Sequence, residues 1–324
     1  MFLCPKAVTI SLICGATHRI SRRIAVAFTI FCILAGSPAP SAAQDNAAQE
    51  AVNRHAILAR LPADAAKRVF GLETSPLPGP AHPIGAYAKG CLAGAVALPA
   101  DGPNWQVMRP SRNRAWGTPL LIAFIERLAA TAATTADWPG LLVGDMGQPR
   151  GGPMLTGHAS HQIGLDADLW LAPMPNRRLS PSERDEMSST NVVAANGDDV
   201  DPRSWRPEHR KLLEAAARSP GVARIFVNPA IKRALCREAG ADRDWLRLIR
   251  PWWGHNYHFH VRLLCPAGDA NCQNQAPPPP GDGCGADLAW WFTEEARHPK
   301  SGPPARPLRV SELPAACAAV AAAR

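Results

Sequence analysis

The apolar residues of the chain recur at helical spacing in some segments and alternate with polar residues in others. After Thr118 and Pro119, the apolar residues from 120 to 128 fall on one face of a helix. Thr118 can cap this helix, and Pro119 suits its first turn because proline has no N–H to leave unpaired there. The same patterns predict further helices over 207–218 and 229–236, and strands over 141–143, 163–170, 223–227 and 258–263.

Two of these strands carry polar residues on one face only. Over 163–170, Asp166 and Asp168 share one face, and the residues between them share an apolar face. Over 258–263, His258 and His260 likewise project to one side, with their Cα atoms about 6–7 Å apart. Each strand is therefore predicted to have one side against the core and the other against a cleft.

The first 43 residues have the order of regions found in a secretory signal. Three arginines between residues 19 and 23 precede an apolar run over 24–35 and small residues up to Ala43. The run is too short to span a bilayer as a stable helix. We expect a signal peptide over 1–43, an exposed N-terminal lead-in over 44–76, and one domain over 77–324 without a transmembrane anchor once the signal is cleaved.

Composition and charge argue against two classes of protein. The chain is 46% hydrophobic and 19% charged, which is typical of a globular rather than a disordered protein. Four of its 35 basic residues and none of its 27 acidic residues lie in the signal, so 31 basic residues remain against 27 acidic ones. This small excess, without a basic run that contains aromatic residues, argues against nucleic-acid binding.

Six cysteines remain after the signal, and an even number in an exported chain indicates disulfides. They are Cys91, Cys236, Cys265, Cys272, Cys284 and Cys317. The alternatives are free buried thiols, or a zinc site built on Cys265 and Cys272, whose separation is wide for a structural zinc hairpin. Six cysteines allow fifteen pairings, and spacing alone does not choose among them.

Histidines and aspartates concentrate in the two polar-faced strands and the turns before them. His161 precedes the first strand and Asp168 lies on it, so the turn between them can direct both side chains to one point. Catalytic zinc takes three protein ligands plus water. His258 or His260 can supply the third ligand while the other contacts the water as a base. The alternatives are a structural zinc, or that Asp166 and Asp168 are merely solvated on an exposed strand face.

Five longer motifs extend these patterns. They are GHASHQIGLDADL over 157–169, PWWGHNYHFHVR over 251–262, RNRAWG over 112–117, QPRGGP over 148–153 and RIFVNPAIK over 224–232. The motifs closely resemble those of the penicillin-insensitive murein endopeptidases, which are secreted bacterial enzymes, and the likeness covers roughly 77–317. These enzymes share a zinc fold with lysostaphin-type peptidases, D-Ala-D-Ala carboxypeptidases and the hedgehog N-terminal domain. The resemblance implies an α+β zinc peptidase domain, with a small antiparallel sheet carrying the zinc site, flanked by helices and long loops and stapled by disulfides.

The resemblance also implies ligands for one catalytic Zn²⁺. His161, Asp168 and His260 match the family's His-x6-Asp and His-x-His patterns and are expected to bind the ion. His158 matches another motif histidine that lies at the metal and ligates it in some states.

Other residues of the second motif are expected to act on the substrate. By the resemblance, His258 is the general base, and His255 positions the substrate or stabilises the developing oxyanion. Trp252 and Trp253 could line the cleft, although a packed pair in the core is the favoured alternative.

The cysteines match the family as well. The resemblance implies the pairs Cys91–Cys317, Cys236–Cys284 and Cys265–Cys272. Some members bind a second zinc between subunits through an aspartate and a histidine, but residues 196–199 offer no histidine at the matching place. That second site is therefore not carried over, and a homodimer is left open.

The implied reaction is hydrolysis of the D-alanyl–meso-diaminopimelyl crosslinks of peptidoglycan in the periplasm. No serine nucleophile takes part, which accounts for insensitivity to penicillin, since a β-lactam acylates a serine. The alternatives are a D,D-carboxypeptidase of the same fold and a catalytically idle protein that binds the cell wall.

Overall fold

Residues 53–300, 302 and 305–323 are described by the computed structural model. The predicted signal over 1–43 and the first residues of the lead-in lie outside this part of the chain. The strands are β1 His82–Ala86, β2 Lys89–Ala93, β3 Val96–Ala97, β4 Asp101–Gly102, β5 Trp105–Val107, β6 Trp116–Gly117, β7 Leu141–Val143, β8 Asp166–Pro173, β9 Val222–Val227, β10 Ile249–Pro251 and β11 His258–Leu263.

The helices are α1 at residues 53–60, α2 Ala66–Leu72, α3 Pro119–Thr135, α4 Pro181–Glu186, α5 Pro207–Arg218, α6 Pro229–Glu238, α7 Ala286–Trp290, α8 Glu294–Arg297 and α9 Ala316–Ala322. Short 3-10 helices occur at Pro110–Arg112, Asp244–Leu248 and Val310–Glu312. Within the described residues, no helix combines the length and the apolarity that crossing a bilayer requires.

The principal sheet has seven strands in the order β10-β9-β11-β8-β7-β5-β4. The pairs around its centre, β11 with β8 and β11 with β9, are antiparallel, as expected for the strands that carry the site. Parallel pairs occur between β9 and β10 and between β5 and β7. Two antiparallel pairs, β1–β2 and β3–β6, lie outside this sheet. The α+β class is therefore confirmed, in a sheet that extends well beyond the two site strands.

Helix α3 begins where the sequence predicts. Thr118 accepts a hydrogen bond from the backbone N–H of Leu121 at 3.3 Å, and Pro119 is the first helical residue. The buried side of the helix, including Phe124 and Leu128, belongs to the same core as Ala167 and Leu169 of β8. Each fully buried side chain of this size contributes ~1.5–3 kcal/mol. The core therefore holds one side of β8, and the alternate residues point to the opposite side.

Helix α2 packs on the body of the protein, although the lead-in over 44–76 was expected to be exposed. Ala66 and Phe70 are fully buried in a second cluster that also contains Leu313 and Cys317 near the C-terminus. The expectation of exposure is wrong for this helix, because its apolar side chains have a partner surface at the other end of the chain. The boundaries at residues 43 and 76 stay predictions.

The six cysteines form three disulfides, namely Cys91–Cys317, Cys236–Cys284 and Cys265–Cys272. These are the pairs that the family resemblance implies. The alternatives of free thiols and of a zinc site at Cys265 and Cys272 are therefore wrong. The first disulfide ties α9 to β2, and the third closes a short loop that follows β11.

Candidate metal centre and pocket

The register between β8 and β11 brings the two polar strand faces together. His260 lies directly opposite Asp168, and Arg262 lies opposite Asp166. Side chains that face each other across an antiparallel pair have Cβ atoms about 4.5–5.5 Å apart, so each pair can interact directly. Phe259 and Val261, which alternate with these residues, lie in the core. The core-facing positions therefore set the register that assembles the site.

Three acceptor atoms meet at this point of the sheet. Asp168 Oδ1 lies 3.4 Å from His161 Nε2 and 3.4 Å from His260 Nδ1. The two imidazole nitrogens are 3.2 Å apart. The structure thus brings together the three residues that the sequence motifs select as metal ligands.

The second nitrogen of each imidazole has a partner that orients the ring. His161 Nδ1 donates to the Met146 carbonyl at 2.8 Å, and His260 Nε2 donates to Asp166 Oδ1 at 2.9 Å. In its neutral form each ring therefore presents an unprotonated nitrogen toward Asp168, since a neutral imidazole carries only one N–H. Such partners are typical of metal-binding histidines.

A cation fits the space between these atoms. Asp168 Oδ1 is buried and makes no hydrogen bond with any group in the described part of the chain, and leaving such an atom unsatisfied costs ~1–3 kcal/mol or more. Donor atoms ~2.0–2.2 Å from a tetrahedral zinc lie ~3.4 Å from one another. The observed separations of 3.2–3.4 Å match that value. His161, Asp168 and His260 could therefore hold a metal ion.

Two further histidines contact the other oxygen of Asp168. His158 Nδ1 and His258 Nε2 each lie 3.5 Å from Asp168 Oδ2. His158, His161 and Asp168 also form a group whose donor atoms lie within 4.8 Å of one another. The remaining nitrogen of His158 donates to Asp145 at 2.9 Å. His158 is therefore within reach of a metal, and His258 lies beside the three acceptor atoms.

Backbone conformation contributes to the placement of His161. Its φ is +66°, in the left-handed region that non-glycine residues seldom adopt. Its N–H donates to Asp166 Oδ2 at 3.0 Å, which holds the turn before β8 in this conformation. Gly164 follows at φ +70°, where an added Cβ would lie 2.4 Å from a Leu92 methyl group. The turn therefore directs His161 toward the strand that succeeds it.

Burial and neighbouring charges set the ionisation of these groups. Burial raises the pKa of Asp168, but the surrounding imidazoles, His258 first, bring it well below its ordinary value. At Asp166 burial is likewise outweighed by Arg262 and His260, and the pKa is lowered. Burial lowers the pKa of His260 to about 4 and also lowers that of His258. Burial also lowers the pKa of His161, but Asp168 outweighs it and the pKa is raised. At neutral pH the carboxylates are charged and His258 and His260 neutral, and a metal ion that binds His161 takes the place of a proton there.

A pocket of about 570 Å³ opens beside the metal centre. Its lining includes His158, His258 and His255, and His255 donates from Nδ1 to the Trp253 carbonyl at 2.8 Å. Trp252 and Trp253 also line it and are 47% and 40% exposed, so the interpretation of this pair as part of the core is wrong. Both residues follow the end of β10 at residue 251, and their rings lie on the surface.

The sequence patterns assign no role to the residues that surround the candidate ligands. Asp166 and Asp168 are 0% and 5% exposed, so they are not solvated on an open strand face. Arg262 donates to Asp166 at 2.8 Å, and Arg114 donates to Asp145 at 2.9 Å. The period of two along each strand was a usable signal for Asp166 and Arg262. No local pattern marked Asp145, which belongs to a loop.

Comparisons with known proteins agree with the motifs. The sequence model of the penicillin-insensitive murein endopeptidase family matches residues 83–322. A penicillin-insensitive murein endopeptidase of Haemophilus influenzae is 52% identical over 218 residues, covering 66% of this chain and 74% of that protein. One of Klebsiella pneumoniae is 47% identical over 247 residues, covering 76% and 88%. One of Pectobacterium atrosepticum is 47% identical over 245 residues, covering 76% and 85%.

Proposed function

Because the chain belongs to the penicillin-insensitive murein endopeptidase family, we propose that it is a zinc-dependent peptidase that hydrolyses the D-alanyl–meso-diaminopimelyl crosslinks of peptidoglycan. The zinc assignment rests on the meeting of two imidazole nitrogens and one carboxylate oxygen at separations of 3.2–3.4 Å. Two imidazoles and one carboxylate are a donor set that suits zinc, and a catalytic site keeps one position open for water.

His161, Asp168 and His260 hold the ion in this proposal. When bound, zinc polarises the scissile carbonyl and makes the attacking water more acidic. His258 takes a proton from the water and returns it to the leaving amine. Two features support this role, namely a neutral imidazole at pH 7 and a position 3.5 Å from the ligand carboxylate.

His255 is assigned to positioning the substrate. Its Nδ1–H is engaged by the Trp253 carbonyl, and burial lowers its pKa to about 4. The Nε2 atom is therefore an acceptor at neutral pH, which suits an N–H of the bound peptide better than a developing oxyanion. His158 donates to Asp145 in this arrangement and stays a candidate fourth ligand.

A periplasmic location goes with this substrate, since the cell wall lies outside the cytoplasmic membrane. Three disulfides support an oxidising compartment. The predicted signal over 1–43 provides the route of export. A homodimer stays a prediction.

Product analysis tests the reaction. The purified exported protein is incubated with crosslinked muropeptide dimers, and the products are separated by liquid chromatography and identified by mass spectrometry. Monomers without free D-alanine support the endopeptidase, whereas release of free D-alanine identifies a D,D-carboxypeptidase. Absence of any product from a zinc-loaded protein would identify a protein that only binds the wall.

Three variants test the residue roles. His161→Ala is expected to lose both zinc and activity, because it removes a ligand. His258→Ala should keep one zinc per chain and lose about 10²- to 10⁴-fold in rate, because only the proton acceptor is removed. His298→Ala is the control, since this imidazole is 77% exposed in its side chain. A normal rate in the His258 variant contradicts the role of that residue.

A further inference from the structure

Four tryptophans form one cluster at the edge of the pocket, and we call Trp252, Trp253, Trp290 and Trp291 the tryptophan ledge. Ring centroids are 5.2 Å apart between Trp252 and Trp253, 4.7 Å between Trp253 and Trp291, and 5.2 Å between Trp290 and Trp291. Three of the four are exposed, by 47% at Trp252, 40% at Trp253 and 41% at Trp290. The other six tryptophans of the chain are buried or half-buried, so exposure of indole is concentrated at this one place.

The ledge is held rigidly although its outer surface is exposed. Trp253 Nε1 donates to the carbonyl of Ala296, whose side chain is buried at the base of α8. The buried side chain of Leu288 anchors α7. The Cys236–Cys284 disulfide links the chain just before α7 to α6. A preformed surface of contiguous aromatic side chains is typical of a binding site, since burying it in a complex costs little ordering of the protein.

The ledge continues the pocket outward. Trp252 and Trp253 line the pocket beside the metal centre, and Phe226 joins Trp252 to His260 through ring contacts of 5.8 and 5.3 Å. On the other side, Trp253 and Trp291 line a neighbouring cavity of about 210 Å³. A polymer whose crosslink occupies the pocket would therefore extend over the ledge.

Charge around the ledge favours a neutral occupant. Helix α7, which ends at Trp290, carries Asp287. Helix α8, which begins three residues after Trp291, carries Glu294 and Glu295. Arg297 on α8 is already paired with Asp198. Arg233, whose guanidinium lies over the Phe292 ring between the two helices, donates to the carbonyl of the same residue, Asp198. Three carboxylates repel an anionic lipid surface and the acidic stem peptides of the cell wall. The uncharged sugar rings are the component of the cell wall that these carboxylates do not repel.

We propose that the tryptophan ledge binds the neutral N-acetylated amino-sugar strand of peptidoglycan, an assignment that rests on the proposed function for the identity of the polymer. The apolar C–H face of a sugar ring stacks on the face of an indole, which attracts it through dispersion and through the negative charge of the ring face. The ledge thus holds the glycan strand while the pocket holds the crosslink that branches from it.

Binding to a soluble hexamer of N-acetylglucosamine tests this proposal without any cleavage. Isothermal titration calorimetry on the full exported protein is expected to show binding that Trp290→Ala weakens by about tenfold. Trp290→Phe keeps an aromatic face and should restore most of the affinity, whereas Trp290→Leu keeps only apolar bulk and should not. Leu120→Ala is the matched control, because Leu120 is 39% exposed at the start of α3 and lines neither the pocket nor the neighbouring cavity.

A second comparison separates this proposal from the proposed function. Trp290→Ala should lower the ratio of the cleavage rate on whole sacculi to the rate on crosslinked peptides freed of their sugars. A wild-type protein that binds the hexamer but cleaves neither substrate would refute the function and leave the ledge assignment standing. Failure of the wild type to bind the hexamer, or equal affinity in Trp290→Ala, would overturn the ledge assignment. So would Trp290-dependent binding to anionic phospholipid vesicles in place of the hexamer.

Discussion

Replacing Asp166 with asparagine removes one buried charge from the site and leaves the shape of the side chain almost unchanged. The carboxylate accepts hydrogen bonds from His260 Nε2 at 2.9 Å, Arg262 Nε at 2.8 Å and the His161 backbone N–H at 3.0 Å. An amide offers one acceptor oxygen where the carboxylate offers two, and its NH₂ group faces a donor on the other side. At least one of the three donors therefore loses its partner.

Two consequences follow from this geometry. The side chain of Arg262 is only 8% exposed, and removing one member of a buried ion pair costs ~3–5 kcal/mol. His260 loses the carboxylate that fixes its protonated nitrogen, and loss of such a partner weakens metal affinity by about 10- to 100-fold. We expect Asp166→Asn to lower the unfolding free energy by ~3–5 kcal/mol and zinc affinity by about 10- to 100-fold.

Unfolding of the zinc-free protein in urea measures the first quantity, since bound metal would add its own stabilisation. Competition with a chelator at fixed pH measures the second. Asp145→Asn is the matched control, because Asp145 is also buried and accepts from Arg114 and His158, each at 2.9 Å. It should destabilise the protein to a similar degree and change zinc affinity much less, because neither His161 nor His260 depends on it.

Wild-type zinc affinity in Asp166→Asn would contradict this prediction, since His260 would then be oriented by something other than this carboxylate. An equal loss of zinc affinity in both variants would also count against it, because affinity would then follow overall stability. A large loss in Asp145→Asn with a small one in Asp166→Asn would identify His158 as the more important ligand.

Two predictions concern the rest of the fold. Burial and, to a smaller extent, the positive charge of Arg250 lower the pKa of Lys232 to about 7. The unfolded chain keeps this proton to about pH 10.4, so the unfolding free energy should rise between about pH 7 and that value, by up to ~1.4 kcal/mol per pH unit. Urea unfolding at several pH values should show a smaller rise in Lys232→Met, and an unchanged slope would contradict the assignment. Serine replacement of Cys91 and Cys317 should cost ~5 kcal/mol, because their disulfide closes a separation of 226 residues, against ~2 kcal/mol for Cys265 and Cys272 at a separation of seven. The opposite order in urea would contradict the chain-entropy argument.

Local sequence patterns predict several of the elements that build the site. The cap at Thr118 and the alternating faces of β8 and β11 follow from local chemistry, because capping and the two-residue period need no distant partner. The disulfide pairs came from the family resemblance, since six cysteines by themselves allow fifteen pairings. The expectation that α2 is exposed failed because its burial depends on the C-terminal segment, which lies more than 200 residues away.

The residue types alone show which side chains can bind a metal, and the two-residue period of the strands shows that Asp168 and His260 share polar faces. The three-dimensional fold is needed to place His260 opposite Asp168 and to place Asp166 within hydrogen-bond distance of His260. Strand register between segments ninety residues apart is set by packing of their core faces, and a shift of β11 by one residue would turn His260 away from Asp168. The same holds for the tryptophans, because residue type favours burial and only the path of the chain after β10 leaves their rings on the surface.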